Sequence, residues 1–162
     1  MTRRRYSIDD DKIERFFKEG RGSGHGVDYK PWLTIKDVSS QGLSSRIYSK
    51  NTGRQHHLLS NLETSLFLLL DWNDRVIDIR EQFPLDRQVT RMLAAKMGIV
   101  HPRDTHTQTD IVMTTDILVD IRHDGYTRPV ALSVKPSNKL EDTRTLEKLE
   151  LERRYWARDR IA

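Results

Sequence analysis

The sequence predicts a mixed α/β domain in which a central sheet is flanked by helices. Three observations carry that expectation. Residues 115–121 alternate Ile117, Val119 and Ile121 with polar or charged neighbours. Residues 129–135 repeat the alternation after a His123-Asp124-Gly125-Tyr126 turn. Apolar residues at helical spacing follow Ser60 and recur through a charged stretch from 141 to 158.

Taken in order, the first six residues form a basic arm expected to be flexible, and Ser7-Ile8-Asp9-Asp10 opens a helix through Lys18 that Gly20 ends. Gly20 to Gly26 then holds four glycines in seven residues. That stretch is a surface loop, or a loop whose bare backbone and Arg21 approach a phosphate chain. Trp32 to Ile35 reads as a strand, and 46–49 with 54–58 as a hairpin turned by Asn51-Thr52-Gly53. Ser60 caps a helix bearing Leu62, Leu66, Leu69 and Leu70, interrupted at 71–74. A strand covers 76–82, and Pro84 breaks it. Asp86 starts a helix with Met92, Leu93 and Met97, closed by Gly98, and 100–113 is loop. On the return strand Val130, Leu132 and Val134 share one face, with Ala131, Ser133 and Lys135 on the other. Leu146, Leu149 and Tyr155 are the expected core contacts of the last helix.

With 162 residues the chain is long enough for a single domain with a substantial core. Lys and Arg number 28 against 24 Asp and Glu, a net charge of +4, which permits a polyanionic partner without requiring one. The absence of cysteine removes disulfides, zinc ribbons and thiol nucleophiles. No apolar run approaches the roughly 20 residues of a membrane span, and the basic start is unlike a signal peptide, so the expected location is the cytoplasm. A GxSxG elbow, a phosphate-binding GK[ST] loop and an HExxH pair are all missing. His56 and His57 are adjacent and cannot both face one ion from a regular strand.

The residues of the 115–135 hairpin read either as a solvated hairpin face or as a phosphodiester-cutting pattern. Such hydrolysis uses a divalent cation held by hard oxygen ligands, with a lysine beside the attacking water. Asp116 on one hairpin strand and Ser133-Val134-Lys135 on its partner make a D…(polar)xK layout, the PD-(D/E)xK arrangement. The metal set it offers is Asp116, the Val134 backbone carbonyl and the Ser133 hydroxyl. Glu63, on a helix ahead of the hairpin, supplies a further carboxylate. Ser60-Asn61-Leu62-Glu63 is also a capping box, and the two roles compete for one side chain. Glu152 reads either as part of a solvated helix face or as a group turned back to the site.

The chain resembles the TnsA family, the endonuclease subunits of heteromeric cut-and-paste transposases of Tn-seven-type elements. The resemblance runs from Lys18 to Trp156. It is carried by Glu19-Gly20-Arg21-Gly22, Gly24-His25-Gly26, Arg46-Ile47-Tyr48-Ser49, VIDIREQFPL from Val76, and VKPSNKLEDTRTLEKLELERRYW from Val134. It implies a core similar to type II restriction enzymes and an active site of Glu63, Asp116 and Lys135. The implied cofactor is Mg²⁺, with Mn²⁺ as substitute, and the implied task is cutting DNA at the 5′ ends of the transposon. A TnsB-like subunit of the integrase class handles the 3′ ends, and a TnsC-like regulatory ATPase controls assembly. The family carries a glutamine two residues before the lysine, where this chain has Ser133. It also continues into another core strand and a C-terminal partner-docking domain. Since this chain stops at Ile161-Ala162, the expectation is one nuclease domain over 1–162 without that strand or that domain. Two other readings stay open: a nuclease-shaped DNA-binding or scaffold subunit that does not cut, and a stand-alone restriction or repair nuclease.

Overall fold

The computed structural model describes residues 6–39 and 43–162, so the basic arm expected at 1–6 lies, Tyr6 excepted, outside the described residues. The elements run α1 (Asp10–Lys18), β1 (Ser45–Ser49), β2 (Arg54–Leu58), α2 (Asn61–Asp71), β3 (Val76–Pro84), α3 (Arg87–Met97), β4 (Thr114–His123), β5 (Tyr126–Leu132) and α4 (Thr143–Arg158). Single 3-10 turns occupy Gly26–Asp28 and Ser137–Glu141.

The expected α/β layering is present. β3, β4 and β5 form a sheet with β4 in the middle, and β1 pairs with β2 separately. Both pairings in the larger sheet are antiparallel. The β4–β5 pairing is set locally: Asp124 (φ 46°) and Gly125 (φ 80°) make the left-handed pair that a two-residue hairpin turn requires. β4 is covered on both faces. Ile117 and Val119 pack with Leu58, Ile79 and Phe67 of α2, while Leu118 packs with Leu93 of α3 and Leu151 and Trp156 of α4. Val130 and Leu132 join the first layer and Ala131 the second, as strand alternation required. No helix among the described residues is long and apolar enough to cross a membrane.

Several local expectations are corrected. Asp9, whose carboxylate accepts from the Lys12 amide, caps α1 in place of Ser7. Trp32 to Ile35 is a bend and turn: the Trp32 amide reaches the Gln82 carbonyl, but Asp37 folds the next residues back by accepting from the Thr34 amide and hydroxyl. The buried face of α2 is Glu63 and Phe67, flanked by Leu66 and Leu70, whereas Leu62 and Leu69 face outward. In α4 the buried residues are Leu151 and Trp156, and Leu146 is exposed. A mostly leucine helix leaves its facing direction undetermined by pattern alone.

The glycine loop is a packed element and no phosphate clamp. A Cβ on Gly22 would stand 2.1 Å from Pro84 Cγ, so only glycine permits this approach. Arg21 is committed to Asp37 at 2.7 Å, to Glu19 at 2.8 Å and to the Trp32 carbonyl.

The hairpin is welded to the sheet by a buried charge cluster. Glu81 is fully buried and accepts from both Arg54 amino groups (2.9 and 2.7 Å), from the His57 amide (3.0 Å), and pairs with His56 Nδ1 at 2.8 Å. Burial alone would raise this carboxyl, but the Arg54 and His56 hydrogen bonds hold it down to about 2. Its stabilising contribution is therefore present above the ordinary carboxylate range near 4.5 and is lost as pH falls toward about 2. Arg54→Ala, which strands a buried carboxylate, is expected to cost about 3–5 kcal/mol in urea unfolding at neutral pH. That loss should shrink in acid, and a cost below about 1 kcal/mol would show that Glu81 does not depend on Arg54.

Candidate active site

The site lies where the start of β4, the end of β5 and the first turn of α2 meet. Its centre is Asp116, whose Oδ2 accepts from the Lys135 ammonium at 2.9 Å and from the Val134 amide at 2.9 Å. β5 ends at Leu132, and Ser133, Val134 and Lys135 follow it outside regular structure. From there the Lys135 side chain reaches Asp116 on the neighbouring strand. The Lys135 ammonium also donates to the Val134 carbonyl at 3.2 Å.

Glu63 keeps its helix-capping role. Ser60 Oγ accepts from the Glu63 amide, and the carboxylate accepts from the Leu59 amide at 3.0 Å and the Ser60 hydroxyl at 3.2 Å. The capping partner is thus the Leu59 amide and not that of Ser60. Capping does not remove Glu63 from the site. Burial pushes its pKa up against these hydrogen bonds, and the negative charge of Asp116 pushes it the same way.

Glu152 reaches in from α4. Its Oε1 accepts from the Thr115 and Ser133 hydroxyls, both at 2.7 Å, and the Trp156 indole donates to Thr115 Oγ1 at 2.7 Å. Burial raises its pKa, and Asp116 adds to that rise. Ser133 is therefore directed at Glu152, and its hydroxyl ties the strand end to α4. Of the sequence-derived set, Glu63, Asp116, Lys135 and Glu152 share one electrostatic neighbourhood. His56 is in the Glu81 cluster instead, with its Nε2 paired to Thr52 at 2.7 Å.

Among the described residues no group of three or more His, Asp or Glu side chains is assembled as an ion cage. The donor set nonetheless fits a hard divalent cation: two carboxylates and a backbone carbonyl are all oxygen, and burial and Asp116 both oppose a negative charge on Glu63. A cation there relieves that opposition.

Sequence reasoning missed Gln82. It is buried, stands across β3 and β4 from Asp116 in the register that pairs Glu81 with Ile117 and Phe83 with Thr115, and has φ of 47°. Its amide donates to Glu63 Oε2 at 3.3 Å, and its Oε1 accepts from the Thr114 hydroxyl at 3.0 Å. A left-handed glutamine inside a strand costs on the order of 1–3 kcal/mol, and such strain persists where surroundings over-determine it. No spacing signal in VIDIREQFPL marks the position.

The raised pKa of Glu63 has a definite sign for stability. Its contribution is fully present below the ordinary value near 4.5 and is lost as pH rises through the raised folded value. Glu63→Gln is expected to melt a few degrees higher than the parent at pH 7, with the difference closing as pH is lowered below 4.5 in metal-free buffer. A lower melting point at pH 7 would mean that the cap hydrogen bonds outweigh the buried charge.

Two comparisons with known proteins bear on the family of the chain. A family model described as TnsA-like endonuclease N terminal matches residues 73–162, more than half of the chain, and takes in Gln82, Asp116, Lys135 and Glu152. The chain is also similar to the transposon Tn7 transposition protein TnsA of Escherichia coli, 53% identical over 161 residues, which is 99% of this chain and 58% of that protein. It thus spans less than two thirds of that relative's length and includes Glu63 within the shared region. With a family match over more than half of its residues and a layered α/β core behind it, the chain belongs to the TnsA-like endonuclease N-terminal family.

Proposed function

We propose that this chain is the catalytic domain of a transposase's DNA endonuclease subunit, cutting double-stranded DNA at the 5′ ends of a transposon in the bacterial cytoplasm. The observation that carries it is the Lys135 to Asp116 contact of 2.9 Å, made at the rim of a cleft with buried Glu63 in the same electrostatic neighbourhood. The family match and the relative's printed role in transposition support the biological setting.

Glu63, Asp116 and the Val134 carbonyl are the residues that would hold Mg²⁺, or Mn²⁺ in its place, with the Ser133 hydroxyl, which donates to Glu152, as a further candidate oxygen. Bound there, the ion supplies Lewis acidity at the scissile phosphate and lowers the pKa of water. Lys135 holds the attacking water and balances charge developing on phosphorus. Gln82 and the α2 cap orient Glu63, while Glu152 anchors Ser133, two residues before Lys135. Water adds across the P–O3′ bond, its hydroxyl joining phosphorus to leave a 5′-phosphate and its hydrogen completing a 3′-hydroxyl. TnsB-like and TnsC-like proteins are the proposed partners.

The test is strand cleavage on transposon-end DNA with those partners present. Asp116→Ala is expected to abolish cutting while retaining the parent's far-UV circular dichroism, and Lys135→Ala to slow it about 10²–10³-fold. Mn²⁺ titration followed by calorimetry should show binding that Glu63→Gln and Asp116→Asn both weaken. Normal cutting by Asp116→Ala sinks the assignment. Absence of any Mn²⁺ binding favours a non-cutting scaffold, and cutting of naked DNA without partners favours a stand-alone nuclease.

A further inference from the structure

Beside Asp116 and Lys135 opens a cleft of about 460 Å³, and its remaining wall includes Lys139, Lys148 and Glu152. The three lysines come from three different elements: Lys135 from the end of β5, Lys139 from the 3-10 turn at Ser137–Glu141, and Lys148 from α4. They are brought together by the fold and are not a solvated run along one helix face.

The acidic groups around the cleft are already engaged. Asp116 accepts from Lys135 and the Val134 amide, and Glu152 accepts from two hydroxyls. Asp142, the acid close to both outer lysines, caps α4 by accepting from the Thr145 amide at 2.8 Å and hydroxyl at 2.7 Å. Among the described residues neither Lys139 nor Lys148 has an ion pair or a side-chain hydrogen bond, unlike Arg144, Arg153 and Arg154 on the same helix, each paired to a glutamate. Partial burial lowers the pKa of Lys148, and Arg144 and Lys135 add repulsion. Two unpaired ammonium groups in a cleft with an apolar wall at Ile111 and Leu149 call for an anion attached to an apolar body. A sugar-phosphate backbone has that chemistry.

We propose that Lys139 and Lys148 grip a backbone phosphate of the DNA strand next to the one cut, with its deoxyribose against Ile111 and Leu149, so that the cleft sets the register of the strand over Asp116. The proposal rests on the reading of Asp116 and Lys135 as a cutting centre, because that reading puts the DNA backbone at this rim. Lys139 and Lys148 are positioning residues. They touch a neighbouring phosphate and not the reacting atoms.

The test is fluorescence anisotropy of an end-labelled DNA duplex with the 162-residue chain in EDTA, across a series of salt concentrations. Each phosphate neutralised contributes about 0.9 to the slope of log affinity against log salt. Lys139→Ala with Lys148→Ala is expected to lower that slope by about 0.9, the contribution of the one phosphate released, and affinity about tenfold, each single change giving a smaller loss of slope, and Lys148→Arg keeping the parent slope. An unchanged slope in the double variant overturns the proposal, whether affinity is kept or lost, since misfolding lowers affinity without removing selected phosphate contacts. Failure of the parent chain to bind duplex at low salt also overturns it. The nuclease reading fails by a different result, continued cutting by Asp116→Ala, which leaves the salt slopes of the lysine variants untouched.

Discussion

The geometry of the site depends on one buried carboxylate that takes no part in it. Glu81 sits at the middle of β3 and gathers Arg54, His56 and the His57 amide, locking β2 against the sheet. β2 ends one residue before Leu59, whose amide meets Glu63, so the hairpin's position decides where α2 begins and where Glu63 points. The next residue along β3 is Gln82, which donates to the same Glu63 oxygen as the Leu59 amide. Two adjacent residues of one strand thus serve separate ends: Glu81 sets the scaffold and Gln82 orients the acid. The buried cluster is stable because its hydrogen bonds surround the carboxylate; a buried charge lacking any of them would cost several kcal/mol.

The site itself shows the opposite balance. Glu63 is buried and Glu152 half-buried beside Asp116 with fewer stabilising partners, and burial and the charge of Asp116 push both carboxyls upward. Lys135 offsets part of that charge from the end of β5. One domain therefore holds a satisfied acidic cluster that contributes stability and a strained one that suits cation binding. Strain of this sort is tolerated because β4, packed on both faces by α2 on one side and α3 and α4 on the other, keeps Asp116 in place.

Much was legible in the sequence. The β4 alternation, the Asp124-Gly125 turn and the Asp86 and Gly98 helix ends are local signals, set by residues adjacent in the chain, and each is found where it was read. The hairpin of β1 and β2 was likewise readable from Asn51-Thr52-Gly53 between polar-apolar runs. Trp32 to Ile35 was misread because its β-prone side chains are claimed by α1 packing, with Phe16 and Trp32 ring centroids 5.2 Å apart, and by the Asp37 turn. The α2 face was misread because leucines surround it.

By itself the sequence determined the residue types and their order: an aspartate at the start of one hairpin strand, a lysine after its partner, and a glutamate in a helix cap. Those are properties of local pattern and of side-chain chemistry. Tertiary structure alone decided that Glu63 caps α2 while facing the charge of Asp116, that Ser133 donates to Glu152, and that Gln82 donates to Glu63. It also decided that Arg21 is bound within the fold while, among the described residues, Lys139 and Lys148 have no ion pair in a cleft. The physical reason is that these outcomes depend on which distant groups share a buried space, and burial, charge and hydrogen-bond supply are properties of that space and not of the neighbours in the chain.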